Sequence, residues 1–227
     1  MKKPSKITMY CFAALIIAAF PAQKCPAVDD GDFQYWSING VSFDIDNNWT
    51  FTFDEELRFS EGGTNLYYQH SDFGLVYKNF ADNVDLGFNF RKVFTKQGRG
   101  EWNSENLPHL NITLKGRLFD LAVSNRSRFE YRDIDESENL FRYRNKFTIN
   151  FPLEFTELKL KPYLADEVFI NFDEDGLNTN RLYSGLSYKF SKNISGSIFH
   201  LWQSRKPTGQ GWGENINAIG TQFRIRF

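Results

Sequence analysis

Cysteine is close to absent: the 227 residues contain two, Cys11 and Cys25, both within the first 27 positions. Beyond that point no disulfide framework and no cysteine metal site can form, so stability there must come from packing or from lipid. Histidine is nearly as scarce, limited to His70, His109 and His200, and no metal-binding spacing links them. After residue 20 no apolar run approaches the ~20 residues of a membrane-spanning helix. A surplus of positive charge is also lacking, since 27 Lys and Arg face 28 Asp and Glu. That balance argues against a nucleic-acid partner.

The single apolar run, 9–20, follows Lys2, Lys3 and Lys6 and leads to small residues ending at Ala27. It is too short to cross a bilayer, and its flanks fit a cleaved secretory leader over 1–27, which leaves 28–227 as one domain. Lys24 ahead of Cys25 does not suit a lipoprotein signal. Cleavage would remove four lysines and no acids, moving the formal charge from 27 − 28 = −1 to 23 − 28 = −5.

What the chain has in quantity is aromatic residues, 24 Phe and 10 Tyr, set in alternation with charge. Over 118–150, Phe119, Leu121, Val123, Phe129 and Tyr131 alternate with Asp120, Ser124, Arg126, Arg128, Glu130 and Arg132. The second arm repeats the pattern, with Phe141, Tyr143, Phe147 and Ile149 against Arg142, Arg144, Lys146 and Thr148. A period of two is the signature of a strand. In a soluble sandwich the charged face would be outside, whereas in a transmembrane barrel it lines the interior and the apolar face meets lipid. The end of the sequence favours the barrel. Ile219, Phe223, Ile225 and Phe227 share one face of 217–227, with Gln222, Arg224 and Arg226 on the other. A final amphipathic strand ending in Phe resembles the signal read by the outer-membrane barrel assembly machinery, with Phe223, Ile225 and Phe227 as its elements.

Strand-like segments of about ten residues, the length a tilted membrane strand needs, fall at 33–45, 49–60, 67–78, 84–94, 107–115, 118–132, 140–151, 158–172, 181–190, 194–203 and 215–227. Short connections are expected to alternate with long ones. Prolines 108 and 162 fall near strand starts. A single-chain bacterial barrel has an even number of strands, and Asn39-Gly40 reads as a type I′ hairpin. The expected fold is therefore an all-β transmembrane antiparallel up-and-down β-barrel of about twelve strands, with ten as the alternative.

The runs PYLADEVFINF (162–172), NRLYSGLSY (180–188), RFEYR (128–132) and FRYR (141–144) resemble the domain-of-unknown-function family 2490 of Gram-negative outer-membrane β-barrels. The resemblance implies a barrel in the outer membrane of a Gram-negative cell and brings no established activity.

Function must be read from the inward residues. Parity places Arg126, Arg128, Arg132, Arg142, Arg144, Lys146, Lys159, Arg181 and Lys189 on one wall, with Glu130 and Glu167 among them. The earlier strands contribute Asp44, Asp54, Glu56, Asp72 and Asp85 against Arg58, Lys78 and Arg91. Charges inside a barrel are costly unless paired or wet. One reading is a cross-strand network filling a narrow lumen, with Glu130 and Glu167 bridging the arginines. The other is a water-filled, porin-like passage for small polar or anionic solutes. A closed structural or accessory barrel, binding a partner or lipopolysaccharide through its loops, is the alternative function. A lipid-modifying enzyme is the least favoured, because in His70-Ser71-Asp72 the base and the hydroxyl point to opposite faces. His109 and His200 read as rim or interfacial residues. No cofactor or metal is implied.

Overall fold

The computed structural model describes residues 32–97, 101–154, 156–172, 176–206, 209 and 211–227. The expected leader 1–27 lies outside the described residues. Eleven strands form the fold: β1 (Phe33–Asp44), β2 (Trp49–Ser60), β3 (Asn65–Ala81), β4 (Val84–Gln97), β5 (Glu101–Leu118), β6 (Leu121–Ile134), β7 (Leu140–Asn150), β8 (Lys161–Asn171), β9 (Gly176–Lys189), β10 (Ile194–Arg205) and β11 (Glu214–Arg226). They run in sequence order around a closed barrel. Every neighbouring pair is antiparallel except the seam, where β1 pairs parallel with β11. An odd strand count can close in no other way. It also places the start of β1 and the end of β11 at opposite mouths.

The strand number corrects the expectation of twelve or ten. Asn39-Gly40 turns nothing, because β1 continues through it while bonded to β2 on one side and β11 on the other. The glycine serves space instead: a Cβ there would collide with Asp54 and Arg224, which form an ion pair across it. The loop asymmetry is also weaker than expected, since β4 and β5 extend through most of 95–106 as strand. The longest connection, 151–160, joins β7 to β8 at the mouth where short turns were expected. Lys159 sits in that connection rather than on a strand, which removes it from the inner wall. Pro108 is inside β5, not at its start. The β5–β6 ladder is paired at Asn106 and again at His109 with a gap between, as expected where proline offers no N–H.

Period-two alternation now has definite sides. Among the described residues, nine hydrophobic side chains are buried against twenty polar or charged ones, while twenty-seven large hydrophobics are exposed. A water-soluble domain shows the opposite. Outward rings pair across strands, as in Phe53–Phe73, Phe129–Tyr143 and Tyr131–Phe141, with centroids 4.9–5.1 Å apart. Several outward polar groups bond sideways to one another. Ser71 donates to Glu55 at 2.5 Å, Asn180 to Asp166 at 2.6 Å, and Lys92 to Ser104 and Asn106 at 2.8 and 3.0 Å.

One turn outside the strands is held by its own side chain. Asp46 accepts from the Trp49 and Asn48 backbone N–H groups, both at 2.7 Å, and these bonds hold its carboxyl below the usual range.

The small inner apolar cluster joins Trp36, Ala165, Tyr183, Phe199, Leu201 and Ala218 across β1 and β8–β11. It depends on glycine at one register level. Tyr163, Gly185, Phe199, Gly220 and Trp36 are successive partners on β8, β9, β10, β11 and β1. Phe199 lies over Gly220, where a Cβ would overlap its ring. Gly220→Val should therefore cost about 1–3 kcal/mol by overpacking, most of it recovered when Phe199→Ala is added. Urea midpoints of the detergent-folded barrel measure this, and strictly additive effects would show that the ring and the glycine are not coupled.

Candidate functional site

Strands β6 to β9 bring the basic residues together because each alternates and each is in register with the next. Arg126, Lys146, Glu167 and Arg181 are consecutive partners across four strands, and Arg128 faces Arg144 beside Glu130 and Arg142. Like charges on neighbouring strands repel, so the arrangement holds only through the two carboxylates between them. Glu130 accepts from Arg142 at 2.6 Å and from Arg144 at 3.0 Å. Glu167 accepts from Arg144 at 2.8 Å, Arg126 at 3.1 Å and the Tyr183 hydroxyl at 2.9 Å, with Arg181 at 3.9 Å. Both carboxylates are almost wholly buried, at 2% and 1% exposure. Phe169 lies under the Arg144 and Arg181 guanidinium groups, 4.4 and 4.6 Å from its centroid.

The facing wall is balanced differently, each cation having its own acid. Arg91 donates twice to Asp72, at 2.9 and 2.6 Å, Arg58 donates to Glu56 at 2.5 Å, and Arg132 holds Glu105 bidentately at 2.6 and 2.7 Å. Arg132 thus stands apart from the other five arginines named from the sequence, which do meet. Glu56 belongs to this wall and not to the bridged cluster. His109 is inside, buried, with Nε2 3.5 Å from Asp72, which corrects its reading as a rim residue. His70 also points inward, 3.9 Å from Glu56, while Ser71 bonds Glu55 on the outer face.

Trp36, Leu107, Leu201, Glu130 and Glu167 are all within 2% of full burial, so side chains fill the lumen at this level and form a septum. Toward the mouth that holds Phe227, the filling gives way to a cavity of about 310 Å³. Arg126, Arg128, Arg144, Lys146 and Arg181 line it together with Tyr163 and Phe199 of the interleaved strands β8 and β10, and Asp54, Glu56, Arg58 and Arg91 come from the facing strands. A wider cleft of about 890 Å³ lies at the mouth itself, walled by Lys161, Lys189, Lys192 and Arg226, and Arg224 borders both spaces. Lys189, expected on the inner wall, is at this rim.

Reasoning from the sequence missed the lumen aromatics Trp36, Tyr163, Phe169, Tyr183 and Phe199. A signal existed, since Tyr183 shares parity with Arg181, and Phe169 with Glu167, but rings were assigned to the outer face as a class. Phe223 and Ile225 face outward on β11 as read. Phe227 stacks on Phe43 with centroids 5.0 Å apart and planes 12° from parallel, and its N–H donates to Ser42.

The model of a family described as "Protein of unknown function (DUF2490)" matches residues 33–214. No curated protein matches the sequence.

Proposed function

The chain belongs to the DUF2490 family, and from that premise and the lumen geometry we propose that it is a Gram-negative outer-membrane barrel forming a narrow passage for small polar or anionic solutes. The observation that carries the membrane part is the inverted surface, with large apolar groups outside and ionised groups inside. Such a surface would aggregate in water but suits a bilayer. Lipid and lipopolysaccharide are then its surroundings. The leader over 1–27 and the strand ending at Phe227 serve export and delivery to the barrel assembly machinery.

The passage follows from charge. Arg126, Arg128, Arg142, Arg144, Lys146 and Arg181 are six cations around two carboxylates, Glu130 and Glu167. A lumen with that excess draws anions from the basic cleft at the C-terminal mouth. Passing the septum requires the shared arginines to exchange Glu130 and Glu167 for the travelling anion. The alternative, a closed accessory barrel acting through its loops, is favoured by the burial of those same carboxylates.

Single-channel recording in planar bilayers separates the two. A passage gives small anion-selective steps whose selectivity falls when Arg128 and Arg144 are neutralised. Correctly folded protein that never conducts would sink the passage and leave the closed barrel.

A further inference from the structure

The 310 Å³ cavity is lined by eight cations, Arg58, Arg91, Arg126, Arg128, Arg144, Lys146, Arg181 and Arg224, against three carboxylates, Asp54, Glu56 and Glu167. On the β6–β7–β9 side the cations outnumber what neutralises them. Arg128 is 5% exposed and spends its Nε on Asn111 at 2.7 Å. Its Nη1 is buried without a hydrogen-bond acceptor, because Glu130 stays 3.6 Å away and is already shared by Arg142 and Arg144. Lys146 leans over the Tyr183 ring at 3.7 Å, beside its cross-strand partner Glu167, which other cations already share. A buried guanidinium donor lacking an acceptor is costly, and Arg128 is among the residues that line the cavity. On β8 and β10, the strands that flank β9, the Tyr163 and Phe199 rings lie over Gly185 and Gly220 and so are laid along the wall; Phe199 is 3% exposed, and Tyr163 is the freer ring at the cavity. Charged donors beside a flat ring, in a space that admits a small molecule, make a site with both a charge and a shape requirement.

We propose that this cavity binds a small organic anion carrying two or more carboxylate or phosphate groups on a ring, entering from the C-terminal mouth past Arg224. The anionic groups pair with Arg128 and Lys146, with Arg126 and Arg181 flanking, and the ring rests against Tyr163. The proposal rests on the reading of the lumen as anion-accepting, but it does not need the septum to open.

Isothermal titration of the full barrel in a zwitterionic detergent tests it, with phthalate as ligand and phthalamide, the same ring bearing neutral amides, as comparison. Phthalate should bind saturably, one per barrel, and at least about tenfold tighter than phthalamide, since a desolvated charge-assisted hydrogen bond is worth a factor of that order. It should also raise the unfolding temperature, as any ligand of the folded state alone does. Arg128→Gln with Lys146→Met should lose at least about tenfold in phthalate affinity by the same reasoning. That variant should still fold, because Glu130 keeps Arg142 and Arg144 and Glu167 keeps Arg126 and Arg144 as closer partners. Should it not fold, Lys146→Met alone carries the test and should still weaken phthalate several-fold. Arg205→Gln, at the opposite mouth, should leave binding unchanged. Absence of saturable binding by folded protein, equal affinity for phthalamide, or full affinity in the cavity variants would overturn the site. Binding without conductance keeps the site and removes the passage; conductance without binding does the reverse.

Discussion

Glu167→Gln should lower the stability of the detergent-folded barrel by about 3–5 kcal/mol, the cost of removing one partner from a buried charged group. The exchange keeps the shape and deletes the charge that Arg126 and Arg144 contact and that Arg181 approaches. Three cations, on β6, β7 and β9, would then surround an uncharged side chain at a site where Glu167 is 1% exposed. Glu130→Gln should follow it closely, since Glu130 neutralises Arg142 and Arg144 in the same way. Asp54→Asn is the useful contrast. Its bond to Arg224 is short, at 2.6 Å, but the two side chains are 28% and 48% exposed, and such a pair is worth at most about 1 kcal/mol. Urea midpoints for the three variants should separate widely. If Glu167→Gln matched Asp54→Asn, the carboxylates would not be what holds the arginines together. Adding Arg144→Met to Glu167→Gln should return part of the loss, which a double-mutant cycle would report as coupling.

Deleting Phe227 should produce the largest effect seen in cells, a loss of most of the folded barrel from the outer membrane, with little effect on refolding in detergent. The two outcomes differ because they measure different things. Within the barrel, Phe227 contributes one stacked pair with Phe43 and two backbone bonds, its N–H donating to Ser42 and its carbonyl accepting from Asp44, and an aromatic pair of this kind is worth only about 0.5–1.5 kcal/mol. In the cell the same residue would end the strand that the assembly machinery reads. Trp212→Ala, in the β10–β11 connection, should change neither. Equal losses in cells and in detergent would mean that Phe227 acts through the seam alone.

Alternation was legible, and with it the strands, their faces and the bridging of arginines by Glu130 and Glu167, because a strand's face is decided by parity within a few residues. Strand parity was not. The seam joins Phe33–Asp44 to Glu214–Arg226 in parallel, a pairing between the two ends of the barrel that leaves no local mark. A prior for even numbers therefore led to splitting β1 at Asn39-Gly40. Gly40 looked like a turn residue because the sequence does not show that Arg224 and Asp54 meet over it. The cavity was invisible for a related reason. It arises where cations on β6, β7 and β9 meet rings on β8 and β10, and only the register of five strands brings those together. Proline was misplaced at 108 because an interrupted ladder inside a long strand looks, in sequence, like a strand boundary.

The most direct test of the inverted barrel is spin-label accessibility along β6 and β7 in reconstituted bilayers, comparing oxygen, which concentrates in lipid, with a water-soluble nickel chelate. Labels at Leu121, Val123, Phe129, Phe147 and Ile149 should favour oxygen, and those at the intervening positions Ser124 and Thr148 should not, giving a period of two in opposite phase to the charged residues. Labels at the outward positions that favour the nickel chelate, on protein that remains soluble without detergent, would place those faces in water and contradict a membrane barrel.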